Sequence, residues 1–299
     1  MSKTKNGQSV SFSRLRDGRT LAFQQYGSPQ GRPLYFFHGF PGCRLQASLL
    51  DGMAHAADIQ LVAMDRPGFG QSTFTPSKTL LSWSDDVEQL ADMLGHARFG
   101  ILGVSCGGAY ALACAKRIPA RLSYVGLLAG IGPMDIPSIR KEQLPALRAM
   151  FTLARISPAL TAPMLMLDYV LFRTNPERAV ATLSRLLTEP DRQLISTHPE
   201  IAAVFGTSLV EAYRRGIRGA MHEAHLIASP RGFSLEDISI PVHLYQSGVD
   251  RNVPPAMGRH MAERIRGSVF RSYPDEGHLS VVVNAFNDCA EDFLNSDSL

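Results

Sequence analysis

The sequence predicts an α/β fold: a mostly parallel central sheet flanked by helices, with a helical segment inserted into it. Three observations lead there. Short apolar runs alternate with helical patterns through the first third of the chain. The alternation stops over residues 134–230, where helical segments stand without a convincing strand, and it resumes beyond them. Strands buried on both faces read as continuous apolar runs, and helical crossovers between them make neighbouring strands parallel. With 45% apolar residues the chain can bury the sizeable core such a sheet requires.

The elements follow in order. Leu21–Gln25 reads as an antiparallel strand after the Asp17-Gly18 turn. Leu34–Phe37 is a continuous apolar run ending in His38-Gly39, and Ile59–Met64 is a second, ending in Asp65-Arg66-Pro67-Gly68. Phe99–Val104 ends at Ser105, and Tyr124–Ala129 ends in Gly130-Ile131-Gly132-Pro133. Helical patterns at Arg44–Ala57, Ser84–Leu94 and Cys106–Arg117 lie between them. The middle stretch carries helical segments at Met150–Arg155, Met164–Phe172, Arg178–Leu187 and Val204–Arg215, punctuated by Pro158, Pro163, Pro176, Pro190 and Pro199. Strand Val242–Gln246, helix Met257–Ile265, strand Val269–Tyr273 and a helix from Leu279 to Leu294 close the pattern. The expected organisation is a core domain of residues 1–133 and 231–299 with a helical cap, or lid, of residues 134–230. An insertion at a strand end of such a sheet lies over the edge where ligands bind.

Composition excludes several classes. The net charge of +3 is spread along the chain, and its short clusters, Arg214-Arg215 and Arg264 with Arg266, read as solvated helix faces rather than a nucleic-acid groove. A membrane span needs about 18 apolar residues; the nearest candidate, Ala159–Phe172, is shorter and holds Pro163 and Asp168. The first ten residues have lysines with no apolar run behind them, unlike a secretory signal. Cys43, Cys106, Cys114 and Cys289 form no CxxC and no metal-ligand spacing, so a reduced, cytoplasmic protein with no metal is expected. No dinucleotide-binding GxGxxG is present, and no cofactor is expected. The partner expected is a small-molecule substrate; oligomeric state is left open.

The chemistry concentrates at strand ends. Gly103-Val104-Ser105-Cys106-Gly107-Gly108 follows an apolar strand and precedes an Ala-rich helix. A nucleophile exposed on a sharp strand-to-helix turn needs small neighbours, which Gly103 and Gly107 provide, and the helix N-terminus favours developing negative charge. A serine hydroxyl needs a base. Of nine histidines, His278 is best placed, in a loop between the last strand and the last helix. Asp250, just past the preceding strand, is the acid that would orient it and stabilise its cation. The order Ser, Asp, His suits a strand-ordered sheet. Oxyanion donors are expected from the backbone N–H of Cys106 and of Phe40, because Pro41 has none. His38 and Gly39 are read as support for the Phe40 loop, and the Cys106 thiol as a packing group.

These pieces together resemble the α/β-hydrolase superfamily, in a serine-nucleophile, helical-cap form. The matching motifs are HGFPG at 38–42, DRPGFGQS at 65–72, GVSCGG at 103–108, GVDRNVP at 248–254 and DEGHLS at 275–280. The resemblance implies, in turn, an oxyanion loop, a structural turn beside the site, a nucleophile elbow, a triad acid and a triad base. Epoxide hydrolases and haloalkane dehalogenases share the fold but use an aspartate nucleophile, where this chain has Ser105; dehalogenases also place a tryptophan where Cys106 stands. The HGGG loop of one lipase and esterase group is absent. Proline iminopeptidases usually carry a tryptophan before the serine, where this chain has Val104, which weakens a peptidase reading. The expected function is hydrolysis of a small or medium apolar carboxylic ester, lactone or thioester through an acyl-enzyme. A C–C bond, amide or peptide hydrolase with the same triad, and a low-turnover small-molecule receptor of the same fold, are the alternatives the sequence leaves open.

Overall fold

A computed structural model describes residues 9–296, so the reading of the first ten residues as no leader falls almost wholly outside the described residues. The strands are β1 (Ser11–Arg14), β2 (Thr20–Gly27), β3 (Arg32–Phe37), β4 (Ile59–Met64), β5 (Phe99–Val104), β6 (Leu122–Leu128), β7 (His243–Ser247) and β8 (Val269–Tyr273). They form one sheet in the order β1-β2-β4-β3-β5-β6-β7-β8. The two pairings of β2 are antiparallel, and every pairing from β4 to β8 is parallel. The apolar runs that announced β4 and β5 are buried at every position. β1 gave no such signal, because Ser11-Phe12-Ser13-Arg14 is an edge strand that buries only Ser13.

Helices cover both faces. In the first half these are α1 (Asp51–Ala56), α2 (Trp83–Leu94) and α3 (Gly107–Arg117). Tyr35 and Phe37 of β3 pack on the same side as Trp83, Val87 and Leu90 of α2 and the alanines of α3. Leu34 and Phe36, pointing the other way, share a core with Ala54 of α1. This is the period-two alternation of a strand feeding two layers. The helical pattern at Arg44–Ala57 begins as a 3-10 turn over Arg44–Leu50 before α1. There the Arg44 N–H and guanidinium are both held by Asp65, at 2.8 and 2.6 Å.

Between β6 and β7 the chain builds α4 (Pro145–Ile156), α5 (Ala162–Thr174), α6 (Pro176–Ser184), α7 (Glu189–Thr197), α8 (Pro199–Ala212) and α9 (Arg218–Ala228), with no strand. Four of these overlap the helical segments expected from sequence; α7 and α9 do not. α7 buries only Asp191 and Leu194, too little for an apolar stripe to show. The closing elements are α10 (Pro255–Arg264), α11 (Ser280–Asn284) and α12 (Phe286–Asn295), so the single last helix expected is two, meeting at Ala285. Among the described residues no helix is long and apolar enough to cross a membrane, and the four cysteines are free and buried.

The topology fixes where a site can form. From β3 the chain crosses to β4 on one side and later to β5 on the other, so the winding reverses beside β3. Loops leaving two adjacent parallel strands in opposite directions open a crevice at their carboxyl ends. The pairing of Phe37 with Gly103 puts the ends of β3 and β5 side by side there.

Candidate active site

Ser105 is the first residue past β5. Its φ is +53°, a left-handed conformation unusual for a residue with a Cβ, and one that costs roughly 1–2 kcal/mol. The surroundings hold it in place. Its N–H donates to Leu128 O at 3.0 Å, and its carbonyl accepts the N–H of Gly108 and of Ile131, both at 2.9 Å. A Cβ on Gly107 would sit 2.2 Å from Phe37 O, and one on Gly103 would sit 2.7 Å from Gly107 O. Glycine at both positions is what lets α3 begin directly beneath the serine. Cys106 caps α3, and burial pushes its thiol up to about 12, so it stays protonated.

Asp250 and His278 come from the loops after β7 and β8. Those strands pair through Ser247 and Tyr273, and Gly248 N–H donates to Tyr273 O at 2.8 Å. Asp250 is 1% exposed. Its Oδ2 lies 2.6 Å from His278 Nδ1, while Oδ1 accepts the N–H of Asn252 and of Val253 at 2.7 and 2.9 Å. Burial works against a charged His278, but Asp250, with help from Asp191, outweighs it and holds the imidazole pKa above its ordinary value. Ser105 and His278 line one cavity of about 100 Å³. Among the described residues no hydrogen bond joins their side chains; such a link often tightens only with substrate bound. Apolar walls come from Phe36, Phe40, Leu49, Val104 and Val282 of the core and Phe205 of α8; Gln46 and Asn252 add side-chain amides.

The loop after β3 forms another wall. Gly39 N–H is taken by Gln46 Oε1 at 2.7 Å. The Phe40 and Cys106 N–H groups donate no hydrogen bond among the described residues. His38 is fully buried, and its Nδ1 contacts Gly39 O at 2.8 Å while Nε2 accepts the Arg66 N–H at 3.3 Å. Burial first, then the neighbouring Arg66 cation, hold its pKa well below the usual value. A neutral ring with both nitrogens engaged braces this loop.

Two features of the site gave no signal as site residues in the sequence. Arg66 donates to His38 O at 2.5 Å and Gly39 O at 3.2 Å, and it pairs with Glu223 of α9 through two contacts of 2.6 Å. Asp191 of α7 accepts the backbone N–H of His278, Leu279 and Ser280 at 2.8–2.9 Å. The DRPG motif marked Arg66 only as part of a turn. Thr188 and Asp191 have the spacing of a helix capping box, yet Thr188 Oγ1 gives its proton to the Asp191 side chain at 3.0 Å, and the carboxylate faces the histidine loop instead.

A family profile for the alpha/beta hydrolase fold matches residues 32–285, a span that contains every residue of this candidate site. The chain belongs to that family. Among curated proteins it is 26% identical over 229 residues to a dihydrolipoyllysine-residue acetyltransferase component of an acetoin cleaving system from Pseudomonas putida, covering 71% of this chain and 61% of that one. It is 29% identical over 209 residues to a pimeloyl-[acyl-carrier protein] methyl ester esterase from Neisseria meningitidis, covering 69% and 58%. The chain thus spans about six-tenths of the length of these relatives. Among solved structures, the enol-lactonase from Burkholderia xenovorans LB400 superposes with a TM-score of 0.69 at 20% identity, over 95% of this chain and all of that one, a likeness of fold.

Proposed function

We propose that this alpha/beta hydrolase cleaves a short apolar carboxylic ester or lactone, with Ser105 as nucleophile, His278 as general base and Asp250 as the acid behind it. The observation that carries the reading is the 2.6 Å contact between Asp250 and His278 Nδ1, in a loop whose imidazole shares a cavity with a serine held at φ +53°. With Nδ1–H committed to Asp250, Nε2 is the lone-pair nitrogen, the tautomer a base requires. Ser105 Oγ attacks the carbonyl carbon as His278 Nε2 takes its proton. The oxyanion is bound by the Phe40 and Cys106 N–H groups, the C–O bond breaks, and the imidazolium returns the proton to the departing alkoxide. Water, deprotonated by the same nitrogen, then releases the acid.

The small apolar cavity supports a short substrate. At about 100 Å³ with mostly apolar walls, it favours a short acyl or alkoxy group over a long chain. Residues 134–230 act as the cap, with Phe205 closing the cavity from that side. The ester chemistry in the name of the Neisseria relative, and the lactone chemistry in that of the Burkholderia structure, agree with this assignment.

The test is a p-nitrophenyl ester series from acetate to decanoate, run with the wild type and Ser105→Ala, alongside labelling by a fluorophosphonate. Expected are steady turnover that peaks at the short chains, a loss of at least about 10³-fold in the variant, and label on Ser105. Full turnover by a folded Ser105→Ala protein refutes the assignment.

A further inference from the structure

The geometry points to Asp191, on α7 of the helical segment, as a positioning residue that holds the His278 loop in its working place. This rests on the reading of Ser105, Asp250 and His278 just given. Asp191 is 1% exposed. An ionised carboxylate offers about four lone-pair sites, and here all are filled. Oδ1 accepts the N–H of Leu279 at 2.9 Å and of Ser280 at 2.8 Å; Oδ2 accepts the N–H of His278 at 2.9 Å and the Thr188 hydroxyl at 3.0 Å. No cation pairs with it among the described residues. A buried carboxylate is costly unless fully hydrogen-bonded, so its acceptors hold the loop as firmly as the loop holds them.

Gly277 marks how close the approach is. A Cβ there would lie 2.4 Å from Asp191 Oδ1 and 2.2 Å from Thr188 Oγ1. Two carboxylates therefore serve one histidine from different elements. Asp250, from the core, orients the ring; Asp191, from the inserted helices, orients the backbone that carries the ring. A movement of α7 away from the sheet breaks three N–H bonds or carries His278 with it, so the base is in place only while α7 is seated. The ionisable groups facing His278 are Asp250 and Asp191, and both favour its protonated form. Asp191 itself is faced by Thr188 and by the loop amides.

The test uses the full-length Asp191→Asn and Thr188→Ala variants. It reads kcat and KM on a short p-nitrophenyl ester, the pH profile of kcat/KM, the His278 imidazole titration by NMR, and hydrogen exchange of residues 277–282. For Asp191→Asn we expect kcat at least about tenfold lower with KM within about twofold, the pattern of a group acting on the chemical step. The acid limb and the imidazole titration should move to lower pH, because a negative neighbour is gone. An unchanged pH profile with kcat within about twofold of wild type overturns the proposal. If Asp191→Asn does not fold, Thr188→Ala decides. Faster exchange at 277–282 with a fall in kcat supports the role, and no change in either overturns it. A wild type that neither turns over ester nor takes a fluorophosphonate label sinks the Ser105 reading instead. The NMR titration and the exchange rates then still decide the role of Asp191.

Discussion

Removing the Glu223 carboxylate would strand the Arg66 guanidinium in a region where neither side chain is more than 3% exposed. The two are joined by a pair of contacts at 2.6 Å, and Tyr110 OH donates to the same carboxylate at 3.0 Å. At that separation the attraction between the charges is about 6 kcal/mol for an effective dielectric of 20. Stripping water from each ion costs several kcal/mol, so the intact pair contributes little net stability. Breaking it from one side is another matter, because the remaining cation keeps two backbone carbonyls but has no counter-charge and no solvent. Glu223→Ala should therefore cost about 3–5 kcal/mol, with roughly 1 kcal/mol more for the orphaned Tyr110 hydroxyl. That is a large share of the about 5–15 kcal/mol that folds a typical domain. The double variant Arg66→Met with Glu223→Leu should recover most of the loss, since no buried charge is left. It should not recover hydrolysis, because Arg66 also holds the carbonyls of His38 and Gly39, which shape the loop that presents the Phe40 N–H. Urea unfolding at pH 7 measures the first quantity, and ester turnover by the folded protein measures the second. A single variant that costs less than about 1 kcal/mol, or a double variant no more stable than the single, would refute the reasoning.

Four further outcomes follow from the same structure. With His278 acting as a neutral base and its pKa held above the ordinary histidine value of about 6.5, kcat/KM should fall on acidification with a midpoint above that pH; Asp250→Asn should lower turnover about 10³–10⁴-fold while the thermal melt shows a folded protein. Asp168 on α5 has a carboxyl pushed up to about 6 by burial, so the stability linked to it is full below the unfolded value near 3.8 and is lost as pH rises through about 6. Asp168→Asn should accordingly be more stable by about 1–2 kcal/mol at pH 8, partial exposure reducing the full linkage value, with the gap closing below about pH 4 in paired denaturant melts. Gly107→Ala, whose methyl would meet Phe37 O at 2.2 Å, should lose about 1–3 kcal/mol, towards the upper end because the obstacle is backbone; a wild-type melting curve would show that the elbow relaxes freely.

The sheet was legible because its signals are local. Leu34–Phe37, Ile59–Met64, Phe99–Val104 and Val269–Tyr273 announce themselves by unbroken apolar character or β-rich composition, and glycines at 103 and 107 mark a turn that only small residues tolerate. Reading which loops follow these strands and Val242–Gln246 led to the expectation that Ser105, Asp250 and His278 share one sheet edge. Where the local signal was weak, as at the polar edge strand Ser11–Arg14 or the sparsely buried α7, the elements went unseen.

The sequence by itself determined the strands after Ser11–Arg14, their alternation with helices, and which polar residues stand at the strand ends. Only the tertiary structure decided which buried charges meet: Arg66 with Glu223, 157 residues apart, and Asp191 with the amides of His278, Leu279 and Ser280, 87 to 89 residues away. The physical reason is that burial preference and turn geometry are properties of a residue and its immediate neighbours. A partner for a buried charge is a property of distance in space, which exists only once the helices between β6 and β7 have folded back over the sheet.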